Sequence, residues 1–130
     1  MLFDVQPESP VPIYEQIVAQ VIFGIASGDL EVGALIPSVR DLAVRIRVHP
    51  NTVAKAYQDL ERQGVVATKR GRGMEVTADA PKLCQAHRQE IIRKRIREAL
   101  REAATSGLSL EEVRALVEEE LYRVNGKRRV

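Results

Sequence analysis

The sequence predicts a mostly α fold with one small β element, built as a helical head followed by a helical pair. Three observations carry that expectation. Apolar residues recur at helical spacing in five separate segments. Caps and stop residues bracket those segments. One glycine-centred pair of short β-prone runs interrupts the series. The 130 residues suffice for one ordinary domain, or a small domain with an appendage. An apolar share of 45% fits a folded chain rather than a disordered one.

Pro12 suits the first position of a helix, because its fixed φ and missing N–H cost nothing there. Ile13, Ile17 and Val21, with Tyr14, Val18, Ile22 and Ile25 in parallel, form a wide apolar stripe that Gly28 ends. A turn-rich link from Asp29 to Pro37 follows. Ser38 with Asp41 then fits a capping box, opening a second helix with Val39, Leu42, Ala43 and Ile46 on its apolar face. That helix must stop before Pro50, since the residue preceding proline avoids the helical region. Pro50 starts a third helix with His49 as an unusual cap; Val53, Ala56, Tyr57 and Leu60 face inward and Gly64 ends it. Two helices joined by a turn of about four residues make a helix-turn-helix. Val65–Arg70 and Met74–Thr77 read as strands around Gly71-Arg72-Gly73, a hairpin behind the helix-turn-helix and so the wing of a winged helix.

A composition break at Ala78-Asp79-Ala80-Pro81 sets the expected boundary, with a winged head over 1–77 and a two-helix segment over 78–130. The first helix of the pair runs from about Lys82 to Ser106, closed by Gly107. The second opens on a capping box of Ser109 and Glu112. Ile92, Ile96 and Leu100 on one helix, and Val113, Leu116, Val117 and Leu121 on the other, form stripes that an isolated pair cannot bury. They are therefore expected to pack against a second copy. The tail from Asn125 to Val130 is basic.

Net charge is only +2, but the distribution is uneven. From Ser38 to Gly73 eight basic residues stand against three acidic ones, a net +5 on the segment that forms the head. A helix fits the major groove of double-stranded DNA, with its first residues meeting base edges. Here those are His49, Asn51, Thr52 and Lys55. Asn suits adenine, and the Thr methyl suits that of thymine. Ser38 and Arg40, at the start of the preceding helix, make a phosphate clamp. Lys69, Arg70 and Arg72 at the wing tip, with Gly71 and Gly73 allowing close backbone approach, suit a groove edge.

The run from Pro12 to Val76 resembles the GntR family of bacterial winged-helix regulators. Pro12-Ile13-Tyr14-Glu15-Gln16-Ile17, Ile36-Pro37-Ser38-Val39-Arg40-Asp41-Leu42-Ala43, Pro50-Asn51-Thr52-Val53 and Gly71-Arg72-Gly73 carry the resemblance. The short two-helix remainder is similar to the family's YtrA-type branch. The resemblance implies a homodimer on an inverted-repeat operator, usually a repressor, with Arg40 touching DNA. Positions matching Pro50 and Ala54 often hold arginines in the family, so base reading here shifts toward Asn51, Thr52 and Lys55. Glu75 stands at a wing position that is commonly apolar or aromatic.

Other classes fare worse. An enzyme has no support, for no Ser/His/Asp arrangement, clustered carboxylates or metal set is visible, and no cofactor is expected. A winged helix used only as a protein adaptor would not need a basic tip or a polar start to its third helix. Cys84 and His87 lie one helical turn apart and would suit a thiol or metal sensor, but two ligands do not make a site. A small-molecule effector would have to lodge between the helical pair and the winged domain, or at the dimer seam. No apolar run approaches the roughly 18 residues of a membrane helix. The opening MLFDVQPESP lacks an export signal, which with a single Cys predicts a cytoplasmic protein.

Overall fold

The computed structural model describes residues 3–126. Five helices and one hairpin follow in the order α1 (Ile13–Ser27), α2 (Val39–Ile46), α3 (Pro50–Arg62), β1 (Val66–Lys69), β2 (Gly73–Val76), α4 (Ala80–Thr105) and α5 (Leu110–Val124). This is the mostly helical winged helix-turn-helix that the sequence predicts. The core gathers Ile17, Val21, Ile22 and Ile25 from α1 with Leu42, Val53, Tyr57, Leu60, Val65 and Val76. Pro12 is the cap of α1 rather than its first turn, and Gly28 closes that helix in the left-handed conformation at φ 92°. Its N–H there reaches back to the Ile25 carbonyl at 3.2 Å, a geometry a Cβ would oppose.

Ahead of α1 the chain is strapped down by two glutamines. Gln16 Oε1 accepts from the Gln6 N–H at 2.7 Å, while its Nε2 donates to the Gln6 and Val11 carbonyls at 2.9 and 2.8 Å. One turn later Gln20 accepts from the Asp4 N–H at 2.9 Å and donates to the Asp4 carbonyl. The register has a simple origin. Two extended residues advance about 6.6 Å and four helical ones about 6.0 Å, so side chains at i and i+4 meet backbone at j and j−2. The strap seats Phe3 in the core.

β1 and β2 pair antiparallel, Val66 opposite Val76 and Lys69 opposite Gly73. The link between α1 and α2 adds a third rung. Leu35 bridges Glu75, with Ile36 N–H donating to the Met74 carbonyl at 3.0 Å and Val76 N–H to the Ala34 carbonyl at 2.9 Å. A stretch that reads as turns therefore completes the wing. The turn of the helix-turn-helix is also tighter than expected, Arg47 to His49. Arg47 closes α2 at φ 60°, ψ 48°, a left-handed position held without glycine.

The chain divides into two compact units, Met1–Ile91 and Ile92–Val130. The division therefore does not follow the composition break after Thr77. Ala80 and Cys84 at the start of α4 are fully buried in the core of the first unit, and Ile91 packs against it. In the second unit Ser109 accepts from the Glu112 N–H at 3.1 Å and Glu112 returns the bond at 2.9 Å, the full capping box. Those bonds hold the Glu112 carboxyl below its ordinary range. The expected basic tail lies, from Lys127 on, outside the described residues.

Candidate nucleic-acid interface

The head presents its polar candidates at the starts of two helices and at one hairpin tip. Ser38 caps α2 by accepting from the Asp41 N–H at 3.1 Å. The return half of the expected box is not made, because aspartate is one carbon shorter than the glutamate that closes it in α5. Arg40, in the first turn, is exposed and pairs with no described carboxylate. Tyr57 is buried and donates its hydroxyl to the Pro37 carbonyl at 2.7 Å, fixing the residue just before the Ser38 cap to the middle of α3. Burial pushes the phenol well above its ordinary range, with Arg45 opposing weakly, so the donor stays protonated.

His49 is a true cap. Its Nδ1 accepts from the Asn51 N–H at 3.0 Å, which puts the proton of the neutral ring on Nε2 and leaves that atom free to donate outward. With its N–H satisfied, Asn51 exposes a carboxamide that has no partner among the described residues. Thr52 beside it is half-buried. One turn on, the Lys55 ammonium sits 3.9 Å from the Tyr14 ring centroid, a cation–π contact that ties α3 to α1. The sequence offered no sign of this pair, since Tyr14 reads as part of an apolar stripe.

At the wing tip, Arg72 N–H closes on the Lys69 carbonyl at 2.9 Å and Gly71 takes φ 76°. A positive φ at that third turn residue is what a type II turn demands. Lys69, Arg70, Gly71, Arg72 and Gly73 are all exposed. Lys69 and Arg70 make no ion pair among the described residues, whereas Arg72 Nη1 lies 3.3 Å from Glu75 Oε2. The wing joins α3 at the helix's far end, where Thr68 donates to Glu61 at 3.2 Å and Thr77 to the Gly64 carbonyl at 2.7 Å.

The remaining candidates divide sharply. Cys84 is sealed in the core, which pushes its thiol up to about 11 and leaves it a poor nucleophile or ligand. Among the described residues no set of three or more His, Cys, Asp or Glu could hold a metal ion. The residues expected to meet a second copy are uncovered in the single chain. Ile92, Ile96, Leu100, Leu116, Val117 and Leu121 are 41–55% exposed, Val113 is half-buried, and α5 buries no residue at all. No described helix is long and apolar enough to cross a membrane.

Residues 13–76 match the family model described as bacterial regulatory proteins, gntR family. The chain is 35% identical over 118 residues, 91% of each protein, to the HTH-type transcriptional repressor YtrA of Bacillus subtilis. Among solved structures it is similar to a transcriptional antiterminator of Listeria monocytogenes, at TM-score 0.66 and 35% identity over 100% of this chain and 96% of that one. It is also similar to the DNA-binding domain of AraR in complex with its operator ORX1, at TM-score 0.51 and 28% identity over 57% of this chain and 92% of that one.

Proposed function

Since the chain belongs to the GntR family of bacterial regulatory proteins, we propose that this transcription regulator represses by gripping an inverted-repeat operator as a homodimer. Its relatives are transcription regulators, not enzymes. The observation that carries the DNA reading is the first turn of α3. There the His49 ring is engaged with the backbone, and the Asn51 carboxamide is exposed with no partner among the described residues, on a helix whose other face is core. Asn51 reads adenine in the major groove, Thr52 and Lys55 extend the contact, and His49 donates through Nε2. Ser38 and Arg40 at the start of α2 hold phosphate. Lys69 and Arg70 lead the wing contact, with Gly71 and Gly73 admitting the close approach.

Dimerisation rests on the uncovered stripes of α4 and α5 and on charge. Seven cations face three carboxylates along α4, while α5 carries five carboxylates and two arginines. Opposite signs favour α4 of one copy against α5 of the other. A two-fold dimer spaces its recognition helices roughly 34 Å apart, one turn of DNA. Occupancy of the promoter, which keeps polymerase from it, is the route to repression in this reading.

The test is a gel shift on the gene's own promoter with excess competitor DNA, comparing the natural protein with Asn51→Ala. Asn51→Ala should lose about 1–3 kcal/mol of specific binding and little non-specific binding. Equal loss of both proteins to competitor would remove Asn51 from the reading head. Sedimentation equilibrium checks the dimer, which Leu100→Glu together with Leu116→Glu should split into monomers.

A further inference from the structure

Glu75 is the one feature of the wing that a DNA-reading surface does not ask for. A carboxylate near phosphate is repelled, yet this one is built into the middle of β2, where Ala67 opposes it on one side and Leu35 on the other. Its side chain is only 15% exposed, and Oε2 is shut off from solvent without a hydrogen bond from any described group. A carboxylate so placed holds on to whatever cation it has, since losing the partner leaves a desolvated charge. That cation is Arg72, at 3.3 Å, whose own side chain remains 62% exposed at the tip. Two of the three tip cations, Lys69 and Arg70, are therefore exposed with no carboxylate partner among the described residues, and the third is not.

We infer that Glu75 is an internal counter-ion that withholds Arg72 from the DNA backbone and so sets the strength of the wing's electrostatic grip. The inference rests on the DNA-binding reading above. Phosphate must compete with Glu75 for the guanidinium, and the buried end of the pair cannot swing away to water to let go. Arg70 and Lys69 engage phosphate without that competition. Glu75 acts here as a positioning residue, through Arg72 and without touching DNA itself.

The experiment measures binding to a short duplex of arbitrary sequence, by fluorescence anisotropy across a series of salt concentrations, for the full chain. Glu75→Gln keeps the shape and removes the charge. It should bind about five- to tenfold tighter near 0.1 M salt, and its plot of log K against log salt should steepen by about 0.9, one more phosphate neutralised. In an Arg72→Ala background the same Glu75→Gln change should leave affinity and slope where they were. Thermal midpoints taken alongside report whether the wing still folds. A comparison that needs no change at position 75 tests the same point. Arg70→Ala should flatten the slope by about 0.9, and Arg72→Ala by less than half as much.

Unchanged or weaker binding by Glu75→Gln overturns the inference, as does a gain that survives in the Arg72→Ala background, which would mean simple repulsion of phosphate. Equal slope losses for Arg70→Ala and Arg72→Ala overturn it too. If the natural protein binds no duplex even at low salt, the DNA reading itself fails and takes this inference with it. That result is distinguishable from the others, all of which begin with measurable binding.

Discussion

Replacing Tyr57 with Phe removes one oxygen atom and tests whether the start of α2 is held by α3. The hydroxyl is buried and donates at 2.7 Å to the Pro37 carbonyl, one residue ahead of the Ser38 cap. A neutral hydrogen bond of this kind contributes about 0.5–1.5 kcal/mol net. The carbonyl left behind adds a share of the roughly 1–3 kcal/mol unsatisfied-group penalty, reduced because Pro37 is only half-buried and water can reach it. The expected cost is about 1.5 kcal/mol, with no cavity, since the ring stays. For a unit of this size that lowers Tm by roughly 5–10 °C. Urea unfolding should give a lower midpoint at unchanged slope. DNA binding, measured well below the transition, should weaken severalfold, because Ser38 and Arg40 lose their anchored approach. Stability within about 0.3 kcal/mol of the natural protein would refute the reasoning, for it would mean that packing alone seats Pro37.

Other consequences are equally direct. Burial lifts the Cys84 thiol from 9.0 to about 11, so the folded state holds that proton more tightly than the unfolded state does. The associated stability is complete below pH 9 and lost as pH rises toward 11, about 2–3 kcal/mol in all. The difference in stability between the natural protein and Cys84→Ala should shrink by that amount across this window. His49→Ala should cost about 1 kcal/mol in urea unfolding through loss of the cap, and His49→Asn should restore it, since asparagine caps well. Gln16→Ala breaks three hydrogen bonds to the strap and should cost about 2–3 kcal/mol. Hydrogen exchange at the Gln6 amide should accelerate with it, while Gln20→Ala, more exposed, should cost less.

What was legible in the sequence is what local chemistry decides. Gly28 stops α1, Pro50 opens α3, and Ser109 with Glu112 builds a complete cap, all from interactions within four residues. What was hidden depends on partners far along the chain. Gln16 looks like one more polar residue until Gln6 and Val11 are laid beside it. Arg47 ends α2 with no glycine or proline to announce it, because Val48 must turn inward to pack on the core. The boundary expected after Thr77 rests on the small, turn-prone run Ala78-Asp79-Ala80-Pro81, and one of those positions misleads. Ala80 is small because it is buried, as is Cys84 one turn on, and α4 begins inside the first unit. In the candidate site, Asn51 and the wing tip followed from residue type. The cap made by His49 followed from its place just before Pro50, whereas the engagement of Arg72 by Glu75 depends on how the hairpin packs.

The rung that residues 34–36 add to the hairpin bears on how such proteins can be recombined. A free two-stranded hairpin is marginal in water, and here the missing support comes from a segment more than thirty residues earlier. The unit that must travel together in a chimaera is therefore discontinuous. A wing grafted from a relative as residues 65–77 alone would arrive without the stretch that its inner strand is bonded to, and a recognition helix exchanged with its own wing would still lean on the host's link. Chimaeras that carry residues 33–37 along with the hairpin should fold where simple loop exchanges fail. The same coupling means that insertions in the link, although far from the tip in sequence, are changes to the wing.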